Sequence, residues 1–215
     1  MEITLEHVSK TIKQAQILTD ISLQLCAPRI VGLRGVNGSG KTMLMRLLCG
    51  LVYPTQGQVR IDGQLLGKDR SFPASVGALI ERPAFLDDYS GRRNLQVLTS
   101  IQGRAGLARI DQTIRQVGLD PDDPKPFRKY SLGMKQRLGI AGAIVEQPDL
   151  ILVDEPTNAL DTDGIQMVKE LLHQERARGA LIVLACHDQS ILEDLSDEVF
   201  HIVDGRIQAH YLVQH

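Results

Sequence analysis

Gly35-Val36-Asn37-Gly38-Ser39-Gly40-Lys41-Thr42 is the stretch on which the fold turns. It fits the pattern G-x-x-x-x-G-K-[ST] and lies between an apolar run, Ile30 to Leu33, and a segment with helical spacing. Glycines let the backbone wrap an anion with its N–H groups pointing inward, and the helix that follows adds the positive end of its dipole. Lys41 is then placed to reach the β- and γ-phosphates of a nucleotide, and Thr42 to ligate Mg²⁺. A Gly-rich turn that merely joins strand to helix is the competing explanation. The dinucleotide pattern G-x-G-x-x-G fails, because Gly38-Ser39-Gly40 is followed by Lys41-Thr42-Met43.

Outward from this loop, the apolar pattern divides into two kinds of strand. Ile3/Leu5, Ile21/Leu23/Leu25 and Val59/Ile61 alternate with polar residues and read as half-exposed antiparallel strands. Ile30 to Leu33, Val76 to Ile80, Leu150 to Val153, Leu181 to Ala185 and Val199 to Val203 are apolar on both faces, as in a parallel sheet covered by helices. Helical spacing follows the first of these runs (Leu44, Leu47, Leu48, Leu51) and precedes the fourth (Ile165, Val168, Leu171, Leu172). An α/β core results. Residues 85–148 differ: Ile110, Ile114 and Val117, then Leu138, Ala141, Ile144 and Val145, keep helical spacing with no convincing strand. They predict a helical subdomain inserted between core-lobe segments 1–84 and 149–215 of one domain, with a loop at Pro121, Pro124 and Pro126.

Composition narrows the function classes. The chain has 215 residues, 24 Lys+Arg against 26 Asp+Glu, and a net charge of −2, which argues against a main affinity for nucleic acid. The longest wholly apolar run, Ala180 to Cys186, is far short of the roughly 20 residues a membrane-spanning helix needs. No secretory signal is visible at Met1-Glu2-Ile3-Thr4. Cys26, Cys49 and Cys186 are scattered and odd in number, a pattern of reduced thiols in a cytosol and not of disulfides or zinc.

Leu150 to Val153 ends in Asp154-Glu155, two acids delivered to the carboxyl edge of the sheet, where open α/β folds bind ligands. Asp154 is the expected Mg²⁺ partner and Glu155 the candidate base for an attacking water, against the alternative of two acids in a solvated loop. At this point the chain resembles the ATP-binding subunits of ABC transporters. That family carries a signature, commonly LSGGQ, at a helix start shortly before the acidic strand. Here Tyr130-Ser131-Leu132-Gly133-Met134 precedes Lys135-Gln136-Arg137, keeping Ser131 and Gly133 and departing at Leu132 and Met134. A Ser there is also simply a good helix cap. Asn158-Ala159-Leu160-Asp161 is similar to the family's D-loop, and His187, after the strand Leu181 to Ala185, to its switch histidine. The resemblance runs from Glu2 to about Arg206, with five motifs in the family's order.

The resemblance implies a P-loop NTPase cassette with a RecA-like parallel core, an antiparallel β subdomain and a helical insertion. It implies Mg²⁺ and ATP as ligands, with hydrolysis resting on Glu155, His187 and Lys41. It implies a second ATP-binding subunit, identical or not, whose Ser131 and Gly133 complete the site in trans, and transmembrane permease subunits, with this chain cytoplasmic and peripheral on the inner face of the cell membrane. No nucleic-acid partner is expected. A soluble relative acting on ribosome or DNA, and a scaffold that does not hydrolyse, are the other implied classes.

Two positions depart from the family pattern. Glu81 stands where relatives place Gln, bringing a full charge toward the metal site and predicting altered coupling and pH dependence. With the Ser-Leu-Gly-Met signature it resembles the bacterial exporters of bacitracin, lantibiotics and related peptides. Ile12 stands where relatives carry an aromatic ring stacked on adenine, so weaker discrimination between ATP and GTP is predicted. Ile12→Tyr is expected to raise ATP preference by roughly 2- to 12-fold in competition binding, the equivalent of about 0.5–1.5 kcal/mol of stacking. Strong adenine preference in the wild type with no gain in the variant would overturn it.

Overall fold

The computed structural model describes residues 1–214. Strands β1 (Glu2–Ile12), β2 (Ala15–Cys26), β4 (Gln56–Ile61) and β5 (Gln64–Leu65) form an antiparallel sheet in the order β2-β1-β4-β5. Strands β3 (Arg29–Arg34), β6 (Val76–Leu79), β7 (Leu150–Asp154), β8 (Leu181–Ala185), β9 (Glu198–Val203) and β10 (Arg206–Leu212) form the second sheet, in the order β10-β9-β3-β8-β7-β6. Its pairings are parallel except β9 with β10. The helices are α1 (Lys41–Leu48), α2 (Gly91–Ser100), α3 (Leu107–Gln116), α4 (Leu132–Ile144), α5 (Thr162–Arg178) and α6 (Gln189–Leu195).

The wholly apolar strands sit where their composition requires. Every residue of β7 and β8 is buried. Alternate residues feed opposite cores: Ile151, Val153, Ile182 and Leu184 face one cluster, while Leu150, Leu152, Leu181 and Val183 face the other. The alternating strands β1, β2 and β4 give Ile3, Leu5, Ile21 and Val59 to the second cluster together with α1. Residues 85–148 contain α2, α3, α4 and a short 3-10 turn at Phe127–Lys129, and no strand. Their buried residues, among them Leu95, Ile114 and Leu138, join the same cluster as one face of the parallel sheet. The helical stretch therefore shares a core with the sheet.

Two local departures from the sequence reading have plain causes. Leu51 is 62% exposed because α1 stops at Leu48 and Gly50 adopts a φ of 77°. β10 escaped notice because its burial is mixed, and its half-polar sequence lacks a clean period.

α4 approaches β6 more closely than any side chain would allow. A Cβ on Gly77 would lie 1.8 Å from the Ala143 carbonyl oxygen, so this position admits only glycine. Gly77→Ala must push α4 off the sheet, at a cost of about 1–3 kcal/mol. A fall in Tm of roughly 2–4 °C per kcal/mol is expected by thermal unfolding; an unchanged Tm would show that α4 is free to move.

Candidate active site

Parallel strands end at one edge, and four of them hand over there to the segments singled out in the sequence. β3 runs into the glycine loop, β6 into Ile80-Glu81, β7 into Glu155 and β8 into Cys186-His187. Lys41, Thr42, Asp154, Glu155 and His187 line one open cleft of about 360 Å³, joined by Asn37, Gly38, Gly40 and Glu81.

Gly40 caps α1 at a φ of 109°, with no side-chain hydrogen bond to the helix and no acid in the first turn. The N–H groups and the positive end of α1 thus meet no carboxylate from the helix's own first turn. A Cβ on Gly40 would lie 2.7 Å from Leu18 Cδ2, so glycine is required by space as well as by φ. Lys41, only 6% exposed, donates through Nζ to the carbonyls of Gly35 at 2.6 Å and Val36 at 3.1 Å. Ser39 Oγ is buried in the loop without a hydrogen-bond partner. An orphaned hydroxyl beside a lysine at a helix N-terminus fits a phosphate.

Thr42 Oγ1 donates to Asp154 Oδ2 at 2.7 Å. These two hard oxygen ligands fit Mg²⁺, which takes one or two protein groups and completes its shell with phosphate and water oxygens. Among the described residues no group of three or more His, Cys, Asp or Glu side chains could cage a metal alone.

Glu155 sits at a φ of 52°, just beyond β7, and its N–H donates to the Ala185 carbonyl at 2.9 Å, carrying the β7–β8 ladder one residue further. Its Oε1 is 3.1 Å from His187 Nε2, and Oε2 accepts from the His187 backbone N–H at 3.3 Å. Oε1 is buried with no aligned hydrogen bond despite that ion-pair distance. Burial raises the Glu155 pKa; His187, its backbone N–H and Lys41 oppose that rise, and Asp154 adds to it. The net shift is upward, which makes the carboxylate a stronger base than a free one.

Other singled-out residues lie outside this cleft. Ser131 Oγ accepts from the Met134 N–H at 3.2 Å and caps α4. Gly133 faces the Ala159 carbonyl, 2.9 Å from where its Cβ would be. Asp161 caps α5 through the Gly164 N–H at 2.9 Å and meets Arg137 Nη2 at 3.3 Å. Val36 is 73% exposed. Ile12 closes the β1–β2 hairpin opposite Ala15 and is 39% exposed, whereas Ile17 on β2 lines the cleft. Ile17 is only half-buried and directly precedes the buried Leu18, so alternation along β2 did not single it out.

Two contacts were missed in the sequence. Gln136 Nε2 donates to the Glu155 carbonyl at 2.9 Å, tying α4 to the end of β7. Glu81, at a φ of 65°, holds Oε1 2.7 Å from Arg46 Nη2. Arg46 stands four residues after Thr42, a helical spacing that could have flagged it.

Known proteins agree with this architecture. The family profile described as ABC transporter matches residues 18–158, and the chain belongs to that family. Within it the chain is an ATP-binding subunit with the ATPase cassette. It is 44% identical to an uncharacterized ABC transporter ATP-binding protein, YybJ of Bacillus subtilis (strain 168), over 94% of this chain and 93% of that one. It is 34% identical to the bacitracin transport ATP-binding protein BcrA of Enterococcus faecalis, over 94% of this chain and 66% of that one. It is 33% identical to the lantibiotic transport ATP-binding protein SrtF of Streptococcus pyogenes, over 94% and 87%. Among solved structures, an ATP-binding subunit of an ABC transporter shares the fold at a TM-score of 0.90 and 24% identity, covering 99% of this chain and 90% of that one. A dimeric post-hydrolysis cassette bound to ADP and Pi does so at 0.87 and 21%, covering 99% of both chains.

Because the folded Glu155 pKa lies above its unfolded value, ionising this group costs stability. The cost is absent below the unfolded carboxyl pKa of about 4.3 and complete above the folded value. Glu155→Gln, which cannot ionise, is therefore expected to raise Tm at pH 7, the gain shrinking to nothing as pH falls toward about 4. A pH-independent gain, or a loss at neutrality, would contradict this in a melting series.

Proposed function

We propose that this chain hydrolyses ATP at the cytoplasmic face of the cell membrane to power export of a peptide antibiotic or related drug through separate membrane-spanning subunits. ATP-binding subunits of this family pair as dimers and work with transmembrane subunits. The observation that carries the catalytic reading is the pairing of Thr42 with Asp154 and of His187 with Glu155 in one cleft with Lys41. The peptide cargo is supported by the BcrA and SrtF relatives and by Glu81 with the Ser131-Leu132-Gly133-Met134 signature.

In this reading Glu155 takes the proton of the attacking water, and its raised pKa suits that task. Lys41 and His187 stabilise charge on the transferred phosphoryl group. The loop 35–42 holds the phosphates, and Thr42 and Asp154 hold Mg²⁺, which neutralises the phosphate oxygens. Ser131 and Gly133 lie away from their own chain's cleft, which supports their use on the nucleotide of a second subunit. Asp161 then lies at that dimer interface. Among the described residues no helix is long and apolar enough to cross a membrane; in this reading the path belongs to partner subunits. Residues 81–86 are the proposed contact with them. They flank a groove of about 400 Å³ lined by Leu51, Ile80, Pro83, Phe85 and Ile101, of which Leu51 and Ile101 are largely exposed.

Glu155→Gln is expected to lower ATP turnover by about 10²–10⁴-fold while leaving an ATP-dependent dimer detectable by size-exclusion chromatography. Undiminished hydrolysis would overturn the catalytic assignment. Deleting the chain in its native host is expected to sensitise cells to bacitracin or a lantibiotic, with rescue by wild type and not by Glu155→Gln. Unchanged resistance across such peptides would remove the cargo and leave the ATPase standing.

A further inference from the structure

One ion pair in the cleft has no part in the proposed hydrolysis. Arg46 and Thr42 share a face of α1, and Arg46 Nη2 is 2.7 Å from Glu81 Oε1. Both side chains of the pair line the cleft beside Lys41 and Asp154. Neither is buried, with side-chain exposures of 34% and 60%, so the pair contributes little to holding the fold. Its place in the charge balance is more telling. Three carboxylates, Glu81, Asp154 and Glu155, line a cleft whose cargo of phosphates is itself strongly negative. Asp154 is engaged by Thr42 and Glu155 by His187, and Arg46 engages the third.

The main chain that carries Glu81 is fixed at the rim of the cleft. Its backbone is set in the left-handed region, and two residues on, Pro83 packs on α4 so tightly that a Cβ on Gly139 would lie 2.7 Å from Pro83 Cγ. A bare glutamate held there would oppose an incoming triphosphate. Arg46 removes that opposition.

We infer that Arg46 is a positioning residue that neutralises Glu81 at the mouth of the phosphate cleft and thereby sets affinity for a nucleoside triphosphate, an inference that rests on the ATP reading of the cleft. It acts through Glu81 and not on the nucleotide. Two consequences distinguish this role from direct phosphate binding. Loss of Arg46 matters only while residue 81 is charged, and the loss weakens as salt screens the cleft.

The test is calorimetric binding of the Mg²⁺ complex of AMP-PNP to the full chain as wild type, Arg46→Ala, Glu81→Gln and the double variant, with nucleotide-free Tm as the control for folding. Arg46→Ala is expected to weaken binding roughly tenfold at low salt, the order expected of one unit charge acting over several Å in a solvent-open site, with a smaller defect at high salt. Its nucleotide-free Tm stays near wild type, and KM for ATP rises more than kcat falls. The double variant returns to within about threefold of wild type. Arg46→Gln, which keeps a polar side chain on α1, follows the same pattern and covers the case in which alanine disturbs the helix. A double variant as weak as Arg46→Ala overturns the inference, because Arg46 would then act on the nucleotide or the fold directly. Wild-type affinity in Arg46→Ala overturns it as well, and leaves the ATP reading intact. Absence of binding in all four proteins overturns the ATP reading and this role together.

Discussion

The parallel pairing of β7 between β6 and β8 is the constraint on which the rest depends. Its register sets Asp154 opposite Ala185 and Val153 opposite Leu79, so that Glu155, His187 and Glu81 emerge side by side at one edge. A slip of one residue would turn each strand's buried set to the opposite core and carry Asp154 away from Thr42. Because every residue of β7 and β8 is buried, such a slip would exchange the contacts of both hydrophobic clusters at once. Packing therefore enforces the positions of the polar residues. The Glu155 N–H bond to Ala185 extends the ladder beyond the strand and holds the carboxylate within reach of His187 at its left-handed φ.

A cleft built this way has a charge problem. On the proposed reading it must attract a polyanion while keeping carboxylates for a metal ion and for proton abstraction. Each acid is accordingly matched: Asp154 by a hydroxyl, Glu155 by an imidazole and a backbone N–H, Glu81 by a guanidinium. The positive end of α1 and the Lys41 ammonium remain to meet phosphate. Lys41 rests meanwhile on two carbonyls of its own loop, which keeps the buried cation solvated by the protein. Burial of Glu155 costs some stability and yields a group readier to accept a proton, a trade common where a site and a fold share residues.

The fold was legible wherever one physical signal dominated. Strands apolar on both faces announced β3, β7 and β8, and the glycine loop between Leu33 and Lys41 announced the switch from strand to helix. β10 was not legible, because an antiparallel edge strand with mixed burial carries no unbroken period. Much of the candidate site was legible too, since Lys41, Thr42, Asp154, Glu155 and His187 sit in segments whose spacing reflects chain geometry. Arg46, Gln136 and Ile17 were not. The spacing from Thr42 puts Arg46 on the cleft face of α1, but the partners lie 35 residues away for Arg46 and 19 for Gln136, and no local pattern encodes a partner that distant.

The helical stretch is tied to the segments around the cleft by three different kinds of contact. Gln136 bonds the Glu155 carbonyl, Arg137 meets Asp161, and Pro83 and Phe85 lie against Gly139 and Gly142 of α4. Phe85 also meets Phe127 edge-on at 5.4 Å, tying residues 81–85 to the turn that precedes Ser131. A displacement of α4 would therefore act on both ends of the chemistry. Through Gln136 it would pull on the backbone of Glu155, and through Pro83 it would shift Glu81 relative to Arg46. Gly77 lets α4 press on β6, so the helix has no room to come closer to the sheet. The helix, residues 81–85 and the parallel sheet thus pack into one core of close-packed side chains that resists continuous deformation.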